Sequence, residues 1–409
     1  MAVGPGIVYL LSSVGPNDLV SNAAAGANFG YSLLWTLLVI GVAHFVLLEA
    51  TARFVIATGE SLLSGYARVA RWSPWVFIGA IVLRRHFSNL YHILLLGIAM
   101  GWLFGSQSPW SLDVFSLVSC AAAFAVMYFG GYRQAEKYCK PLAFFLGLTV
   151  FLTVILARPD PAMVWEGMTR PSLPPESGSQ GMGLGMVLLM MVGTGVGSLN
   201  NLKYSAFVYE KGWRDPSHLR TQRIDLVVSV LGSFLLAAML QVAAGAVLRP
   251  NGLTLKEVED LVPLFTTALG NTGKVLMALG LWTAVFNTYI GSNMGYALMV
   301  CDITASIRGG KQTPEQRSRL RRWILVFFCV SPMYVLWTDW KPVPLVIASS
   351  LLMTAAVPMV TVLLLRIVTD RQRMGKYANS KISTAVMVVI VVASLVVTYR
   401  AVLELLGRG

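Results

Sequence analysis

Eleven long apolar segments are the feature of this sequence that most restricts its fold. Each is close to the roughly 20 apolar residues that a helix needs to cross a bilayer core. They are also too continuous for the ten-residue alternation of β-barrel strands. The sequence therefore predicts an all-α polytopic membrane protein, with residues 1–409 forming one transmembrane domain. The segments lie near residues 4–27, 31–57, 74–104, 111–131, 140–158, 181–209, 223–248, 272–304, 322–338, 342–366 and 382–406.

The charged residues report the orientation of these segments. Only 12% of residues are charged, about half the share typical of soluble domains, and 32 basic residues outnumber 19 acidic ones. With the N-terminus placed inside, twenty basic residues fall in cytoplasmic loops and seven in outside loops, as the positive-inside rule expects. We expect a multi-pass plasma-membrane protein of the bacterial inner-membrane type, with a cytoplasmic N-terminus and an outside C-terminus. Because topology accounts for most of the basic excess, a nucleic-acid partner is excluded.

The first and sixth segments contain helix-breaking residues at mid-membrane. Segment 1 carries Gly15-Pro16-Asn17-Asp18, and segment 6 carries Gly193-Thr194-Gly195-Val196-Gly197-Ser198. Broken helices at matching positions of two halves point to the binding site of a transporter, and an acid such as Asp18 is costly inside a membrane. Close packing of glycine-rich helices is the alternative explanation. Two matched breaks with an embedded acid favour a binding site.

Three stretches of the sequence resemble divalent metal transporters of the NRAMP type. Residues 26–35 (GANFGYSLLW) are similar to the start of the family's second helix, and residues 52–59 (ARFVIATG) to its end. Tyr204-Ser205-Ala206 is similar to a His-Ser-Ala run in the family's sixth helix. The resemblance implies a LeuT-type fold of 11 transmembrane helices with helices 1 and 6 interrupted. It implies inverted repeats near 1–158 and 181–366 and a peripheral helix at 382–406.

The family's functional motifs are replaced in this sequence. Its Asp-Pro-Gly-Asn in helix 1 corresponds here to Gly15-Pro16-Asn17-Asp18, and its Met-Pro-His in helix 6 to Gly197-Ser198-Leu199. Its Asp-x-x-Glu proton route in helix 3 falls on Asn89 and His92. The thioether that selects transition metals is therefore missing, and so are the proton-carrying acids. The chain resembles a divergent, NRAMP-related branch of the family.

The residues at the two breaks predict an oxygen-rich site for a hard cation. Asp18 and Asn17 are the predicted metal ligands, joined by carbonyl groups freed near the breaks, because oxygen ligands suit Mg²⁺, Ca²⁺ or Mn²⁺. Alternatively, Asp18 caps the second half of helix 1, since an aspartate at a helix start accepts a backbone N–H. The predicted substrate-binding residues are Gly15, Asn17, Asp18, Gly195, Gly197, Asn200 and Asn201.

Other charged and polar residues within the spans are candidates for coupling or gating. Arg85, Asn89 and His92 share one helical face, which could conduct protons through His92 or form a positive lining for an anion. In the alternative interpretation, Arg84 and Arg85 extend to the cytoplasmic surface. The candidate coupling or gating residues are Glu49, Arg85, Asn89, His92, Lys203 and Tyr204.

Four charged residues within the spans carry more specific expectations. Lys203 is expected to point into the cytoplasmic vestibule, although contact with Asp18, Glu49 or an anionic substrate is also open. Glu49 and Arg53 have the i, i+4 spacing of a helical salt bridge and are read as structural. Asp225 is expected to make a capping or gate contact near the cytoplasmic end of segment 7.

These observations predict a secondary transporter that moves a hard divalent cation, Mg²⁺ or Mn²⁺, by alternating access. The usual proton coupling of the family is not expected, since its acids are replaced. The alternative is a carrier of the same fold for a small anionic or zwitterionic solute, based on Lys203 and the basic face of segment 3. No enzymatic activity and no cofactor beyond the transported cation are expected. The expected partners are the lipid bilayer and a small inorganic ion or solute, with a monomer as the working assumption.

Overall fold

The structure, a computed structural model, describes residues 4–174, 182–196, 198–255, 257–309 and 312–406. It describes their side chains except at residues 7, 11, 131–143, 145, 146, 198, 267–269, 271, 404 and 405. Every regular element in these ranges is helical. The helices are α1 Pro5–Ser13, α2 Pro16–Phe29, α3 Leu34–Thr58, α4 Leu62–Val69, α5 Ser73–Phe104, α6 Pro109–Ala157, α7 Pro161–Thr169, α8 Leu184–Gly195, α9 Ser198–Glu210, α10 Leu219–Val247, α11 Val262–Ile307, α12 Pro314–Val330, α13 Pro342–Val368, α14 Arg371–Met374 and α15 Lys381–Leu405.

The predicted break in the first segment is present and has a clear local cause. Helix α1 ends at Ser13, and Val14 and Gly15 are extended, with Gly15 at φ −147° and ψ −160°. Pro16 then occupies the first turn of α2, where its missing N–H costs nothing. Asp18 in the same turn closes the N-terminus of α2 by accepting the N–H of Gly15 at 3.1 Å. Segment 1 is therefore two half-helices rather than one span.

The predicted break in the sixth segment is also present. Helix α8 ends at Gly195, and Val196 follows with φ −106° and ψ −4°. Helix α9 begins at Ser198. The interruption of segments 1 and 6, predicted from their glycine and proline content, is confirmed. Gly197, one of the predicted substrate-binding residues, lies outside the described residues.

The predicted count of eleven spans stays a prediction. Among the described residues, nine helices are long and apolar enough to cross a membrane, or ten if one bent pair is a single span. That pair joins residues 147–157 to α7 through a 116° bend. The half-helices α1 and α2 are each too short to qualify. Residues 111–131 and 140–158, predicted as two spans, lie in the single helical run α6.

The packing of the helices places the two breaks at the centre of the molecule. Helix α11 packs against α5 and α6, and α10 packs against α2 and α3. The half-helix α1 contacts α9, α10 and α11, while α8 contacts α2 and α13. Helix α15 exposes apolar residues such as Val389, Val392 and Leu395, as expected of a peripheral helix that faces lipid. The inverted-repeat boundaries stay a prediction.

Candidate functional site

A small cavity lies beside the helix-1 break, with Asp18 in its wall. Its volume is about 40 Å³, and it is bordered by α2, α3, α8 and α10 together with the end of α1. This volume is large enough for an ion together with water, since about 10–15 Å³ of such space is enough to hold one water molecule. The polar residues that line it are Ser13, Asp18, Asn22, His44, Thr194 and Ser233.

Asp18 is the acidic residue of this cavity, and no ion pair neutralises it in the described part of the chain. One carboxylate oxygen accepts the Gly15 N–H, so the capping interpretation of Asp18 is correct. Asn22 is one turn further along α2 and donates from Nδ2 to the Asp18 carbonyl at 2.8 Å. The Asn22 Oδ1 atom is buried and has no hydrogen-bond partner. A carboxylate and an unpaired amide oxygen thus lie one helical turn apart beside one cavity.

The carbonyl groups next to the breaks already have partners. Lys203 and Ser292 both donate to the Ser12 carbonyl at 2.9 Å, and Thr288 donates to the Val14 carbonyl at 3.0 Å. In the sixth segment, Asn201 donates from Nδ2 to the Val196 carbonyl at 3.1 Å. These three carbonyls already accept hydrogen bonds within the protein, and a role for carbonyl groups in binding an ion stays a prediction.

The two predicted glycine positions permit close helix packing at the breaks. A Cβ atom at Gly15 would lie 2.5 Å from Thr288 Oγ1 on α11. A Cβ atom at Gly195 would overlap Cγ2 of Ile40 on α3. Both glycines therefore let a neighbouring helix reach the break, and Gly195 also lines the cavity.

The three asparagines predicted as ligands are engaged elsewhere and do not line the Asp18 cavity. Asn17 donates from Nδ2 to Ser350 Oγ on α13 at 3.1 Å, with its Oδ1 buried and unpaired. Asn200 Oδ1 accepts the Tyr296 hydroxyl at 2.9 Å. Asn201 Oδ1 accepts the Tyr9 hydroxyl at 3.2 Å. These amides connect the two broken helices to their neighbours.

The predicted site residues include only Asp18 among the six polar residues of the cavity and omit Asn22, Thr194 and His44. Asn22 could have been found from its i, i+4 spacing to Asp18, and Thr194 lies inside the glycine-rich run of segment 6. His44 comes from the middle of α3, and nothing in the sequence places it near helix 1. Its Nε2 is 2.8 Å from the Tyr9 hydroxyl. In the described part of the chain, no cluster of three or more His, Cys, Asp or Glu residues could hold a metal.

The basic face of α5 is present, and it is buried rather than extended to the surface. Arg84 is 5% exposed and Arg85 is 0% exposed, so the surface interpretation of this pair is wrong. Arg85 bonds to Asn89, to Ser88 Oγ at 3.3 Å and to Asn293 Oδ1 on α11 at 3.1 Å.

The two other polar positions of this face are also held by neutral groups. Asn89 donates to Asn293 Oδ1 at 3.0 Å and to the Phe328 carbonyl at 2.7 Å. His92 Nδ1 is 2.6 Å from the Ser88 carbonyl, while its Nε2 is buried without a partner. The face thus joins α5 to α11 and α12.

Lys203 does not point into a cytoplasmic vestibule, so that expectation is wrong. Its side chain is fully buried, and its Nζ donates to the Ser12 carbonyl and to Ser292 Oγ, both at 2.9 Å. It lies over the ring of Tyr296, 5.4 Å from the centroid. The physical reason is the C-terminal end of α1, whose exposed carbonyls attract a positive group.

The remaining predicted positions hold helix ends together. Glu49 pairs with Arg53 at 2.9 Å, as predicted, and also with Arg223 of α10 at 3.1 Å. Asp225 accepts the N–H groups of Gly4 at 3.0 Å and Gly6 at 2.6 Å, so it caps α1.

Tyr204, the last predicted coupling residue, lies at the same end of the molecule. Its hydroxyl is 3.5 Å from the Asp225 carboxylate and 3.4 Å from the Gln222 carbonyl. It therefore ties α9 to α10 beside the start of α1.

Known transporters resemble this chain over most of its length, both in sequence and in structure. A divalent metal cation transporter MntH from Chromohalobacter salexigens is 22% identical over 402 residues, which cover 95% of this chain and 87% of the relative. MntH from Deinococcus radiodurans is 24% identical over 420 residues, covering 99% and 90%.

Among solved structures, a mutant of the manganese transporter of Eremococcus coleocola superposes with a TM-score of 0.76 at 17% identity, covering 97% of this chain and 85% of that chain. A nucleobase–cation symport-1 family transporter gives 0.64 at 14% identity, covering 98% and 93%. These likenesses show the shared LeuT-type fold. The family model for natural resistance-associated macrophage protein-like proteins matches residues 6–404, and the chain therefore belongs to the Nramp family.

Proposed function

We propose that this protein is a secondary transporter that carries a hard divalent cation, Mg²⁺ or Mn²⁺, by alternating access. The supporting observation is the cavity of about 40 Å³ beside the helix-1 break, whose wall contains a carboxylate without an ion pair among the described residues. In this proposal Asp18 binds the ion directly. Oxygen atoms of Asn22, Ser13 and Thr194 complete the site, together with water molecules that the ion retains.

The chemistry of the lining favours a hard ion. Carboxylate, amide and hydroxyl oxygens are the ligands of Mg²⁺ and Mn²⁺. Mg²⁺ in particular binds through one or two carboxylates and keeps several waters. His44 and Met191 also border the cavity, and an imidazole nitrogen suits Mn²⁺ better than Mg²⁺. The names of the relatives, which refer to divalent metal cations and manganese, support the same class of substrate.

Transport in this proposal proceeds without the proton coupling usual in the family. The two positions of its acidic proton route hold Asn89 and His92, and the Asn89 amide is occupied by Asn293 and Phe328. With an amide in place of one acid, a chain of titratable carboxylates is missing along this face. Uptake is therefore expected to continue when the proton gradient is collapsed.

The alternative, a carrier of a small anionic or zwitterionic solute, is favoured by the buried cations Arg85 and Lys203. Ligand pockets for organic solutes have volumes of about 300 Å³ or more. The Asp18 cavity has about 40 Å³ and an acidic wall. Both properties support the divalent cation over the organic anion at this position.

Uptake into proteoliposomes tests the proposal through Asp18→Asn. Asparagine at this position still accepts the Gly15 N–H, so the variant loses the charge and keeps the cap. Uptake of Mg²⁺ or Mn²⁺ is expected to fall at least about tenfold, which corresponds to about 1.4 kcal/mol. Unchanged uptake by Asp18→Asn would refute the site, and no uptake of either ion by the wild type would refute the substrate class.

Asp215→Asn is the matched control for this experiment. Asp215 is outside the spans, where the backbone N–H and side chain of Ser217 hold the pKa of its carboxyl below the usual range. It is therefore ionised at neutral pH, and its replacement removes the same charge from a surface turn. The control is expected to transport at the wild-type rate.

A further inference from the structure

We propose that the ammonium group of Lys203 serves as a tethered monovalent cation at the end of α1. It fills a position built from a main-chain carbonyl and a hydroxyl, which would otherwise bind a small cation such as Na⁺ or an alkylammonium ion. This inference does not depend on which solute the protein carries, because it concerns a separate position from the Asp18 cavity.

The hydrogen bonds around Nζ have the directions that a cation site requires. The Ser12 carbonyl can only accept, so Nζ donates to it at 2.9 Å. Ser292 uses its own proton to reach the same carbonyl at 2.9 Å, so its oxygen is an acceptor for Nζ, also at 2.9 Å. Both neighbours of Nζ therefore present oxygen lone pairs, as the ligands of a bound cation do.

Two features beside Nζ attract a positive charge, while the neighbouring guanidinium groups of Arg84 and Arg85 repel it. Ser12 is in the last turn of α1, where the helix dipole is negative and cations are stabilised. The ring of Tyr296 lies 5.4 Å from Nζ and adds a cation–π attraction. Lys203 makes no salt bridge in the described part of the chain. Its direct contacts are thus neutral oxygens, a helix end and an aromatic ring, and the Asp18 carboxylate adds a longer-range attraction.

Helix α11 is shaped to admit this side chain. A Cβ atom at Gly295 would lie 3.1 Å from Lys203 Cδ and 2.9 Å from Phe207. One turn earlier, a Cβ atom at Gly291 would press on Ser12. The two glycines therefore let α11 approach both the end of α1 and the Lys203 stem.

The position of Lys203 links the two broken helices. Its backbone belongs to α9 in the second broken segment. Its ammonium group bonds to the Ser12 carbonyl of α1 in the first broken segment. Ser292 attaches both to α11. A cation at this point is thus part of what holds the two breaks together, and the covalent tether makes that cation permanent. Wild-type stability should then be indifferent to the monovalent cation in solution.

Thermal unfolding of the purified protein tests this inference. The wild type is expected to have the same melting temperature in NaCl, KCl, methylammonium chloride and choline chloride. Lys203→Ala is expected to lower the melting temperature by about 5 °C or more. It should recover part of that loss in methylammonium chloride, which replaces the missing ammonium group, and none in choline chloride, which is too large.

Two further variants separate the charge from the volume of the side chain. Lys203→Met fills the space without a cation, so it should be destabilised and should not respond to methylammonium. Lys341→Ala removes an exposed lysine paired with Glu257 and should show no dependence on the cation in solution.

Three results would overturn the inference. The first is a Na⁺-dependent stabilisation of the wild type. The second is a Lys203→Met variant that is as stable as the wild type. This result would refute the inference even if Lys203→Ala does not fold. The third is a folded Lys203→Ala variant that no cation stabilises. These results report the stability of the protein and not ion uptake, so the uptake experiment with Asp18→Asn tests the proposed transport function separately.

Discussion

Substitution of Gly15 by alanine tests the close contact between the helix-1 break and α11. The new Cβ atom would lie 2.5 Å from Oγ1, 2.8 Å from Cγ2 and 2.9 Å from Cβ of Thr288. The backbone of Gly15 is extended, at φ −147°, so alanine adopts it without strain. The expected cost is therefore overpacking alone, typically about 1–3 kcal/mol. The lower backbone entropy of alanine in the unfolded chain offsets about 0.4–1 kcal/mol of this.

A double-mutant cycle with Thr288→Ala isolates that contact. The second variant removes two of the three crowded atoms, so it should relieve most of the clash. By itself it also removes the hydrogen bond to the Val14 carbonyl, at about 1 kcal/mol. We therefore expect Gly15→Ala to cost about 1–2 kcal/mol less in the Thr288→Ala background than in the wild type.

The assay is reversible unfolding in mixed detergent micelles, which reports the free energy of unfolding. Gly79→Ala is the control, because a Cβ atom there has no neighbour within 4 Å. It should be neutral or stabilising, since alanine is the better helix former. Equal effects of Gly15→Ala and Gly79→Ala, or a Gly15→Ala cost that Thr288→Ala does not reduce, would refute the reasoning.

Two further predictions concern contacts that hold helices together, and both are measured by the same unfolding assay. Glu49→Gln leaves the buried guanidinium of Arg53 without its ionic partner and is expected to lower the free energy of unfolding by about 3 kcal/mol. The control Glu166→Gln breaks an exposed pair and should lower it by less than about 1 kcal/mol. Equal costs for these two variants would contradict the prediction. Tyr9→Phe removes the hydroxyl bonded to His44 and is expected to cost about 1–3 kcal/mol. A cost below about 0.5 kcal/mol would contradict it.

The fold of this chain could be predicted because its main signals are local. Hydrophobic length sets the spans, and Pro16 cannot continue α1 because it lacks the N–H that the helix ladder needs. The glycine-rich run before Val196 weakens the sixth segment for another reason, because glycine loses more backbone freedom than other residues when it joins a helix. The salt bridge between Glu49 and Arg53 also followed from their spacing along one helix. Each of these inferences needs no knowledge of a distant residue.

The candidate site was less predictable because its contacts join distant parts of the chain. Asn200 and Asn201 have side-chain oxygens that could bind a cation. In the structure, however, Tyr296 donates to the oxygen of Asn200, and Tyr9 donates to that of Asn201. No pattern within segment 6 reveals those partners. The direction of Lys203 depends on where α1 ends in space relative to α9, which is a property of the tertiary packing. A charged residue in a span can be found from sequence, whereas its partner requires the structure.

The two charged residues nearest the helix-1 break lie at opposite ends of it. Lys203 bonds to the carbonyl end of α1, and Asp18 accepts the N–H of Gly15 at the amino end of α2. Each half-helix thus meets the charge that its dipole favours. A divalent cation bound at Asp18 would share the carboxylate with the Gly15 N–H, since one of its two oxygens serves the cap. Under the proposed function, ion binding and the geometry of the break are therefore coupled through one side chain, while Lys203 bonds to the carbonyl end of α1 on the other side of the break.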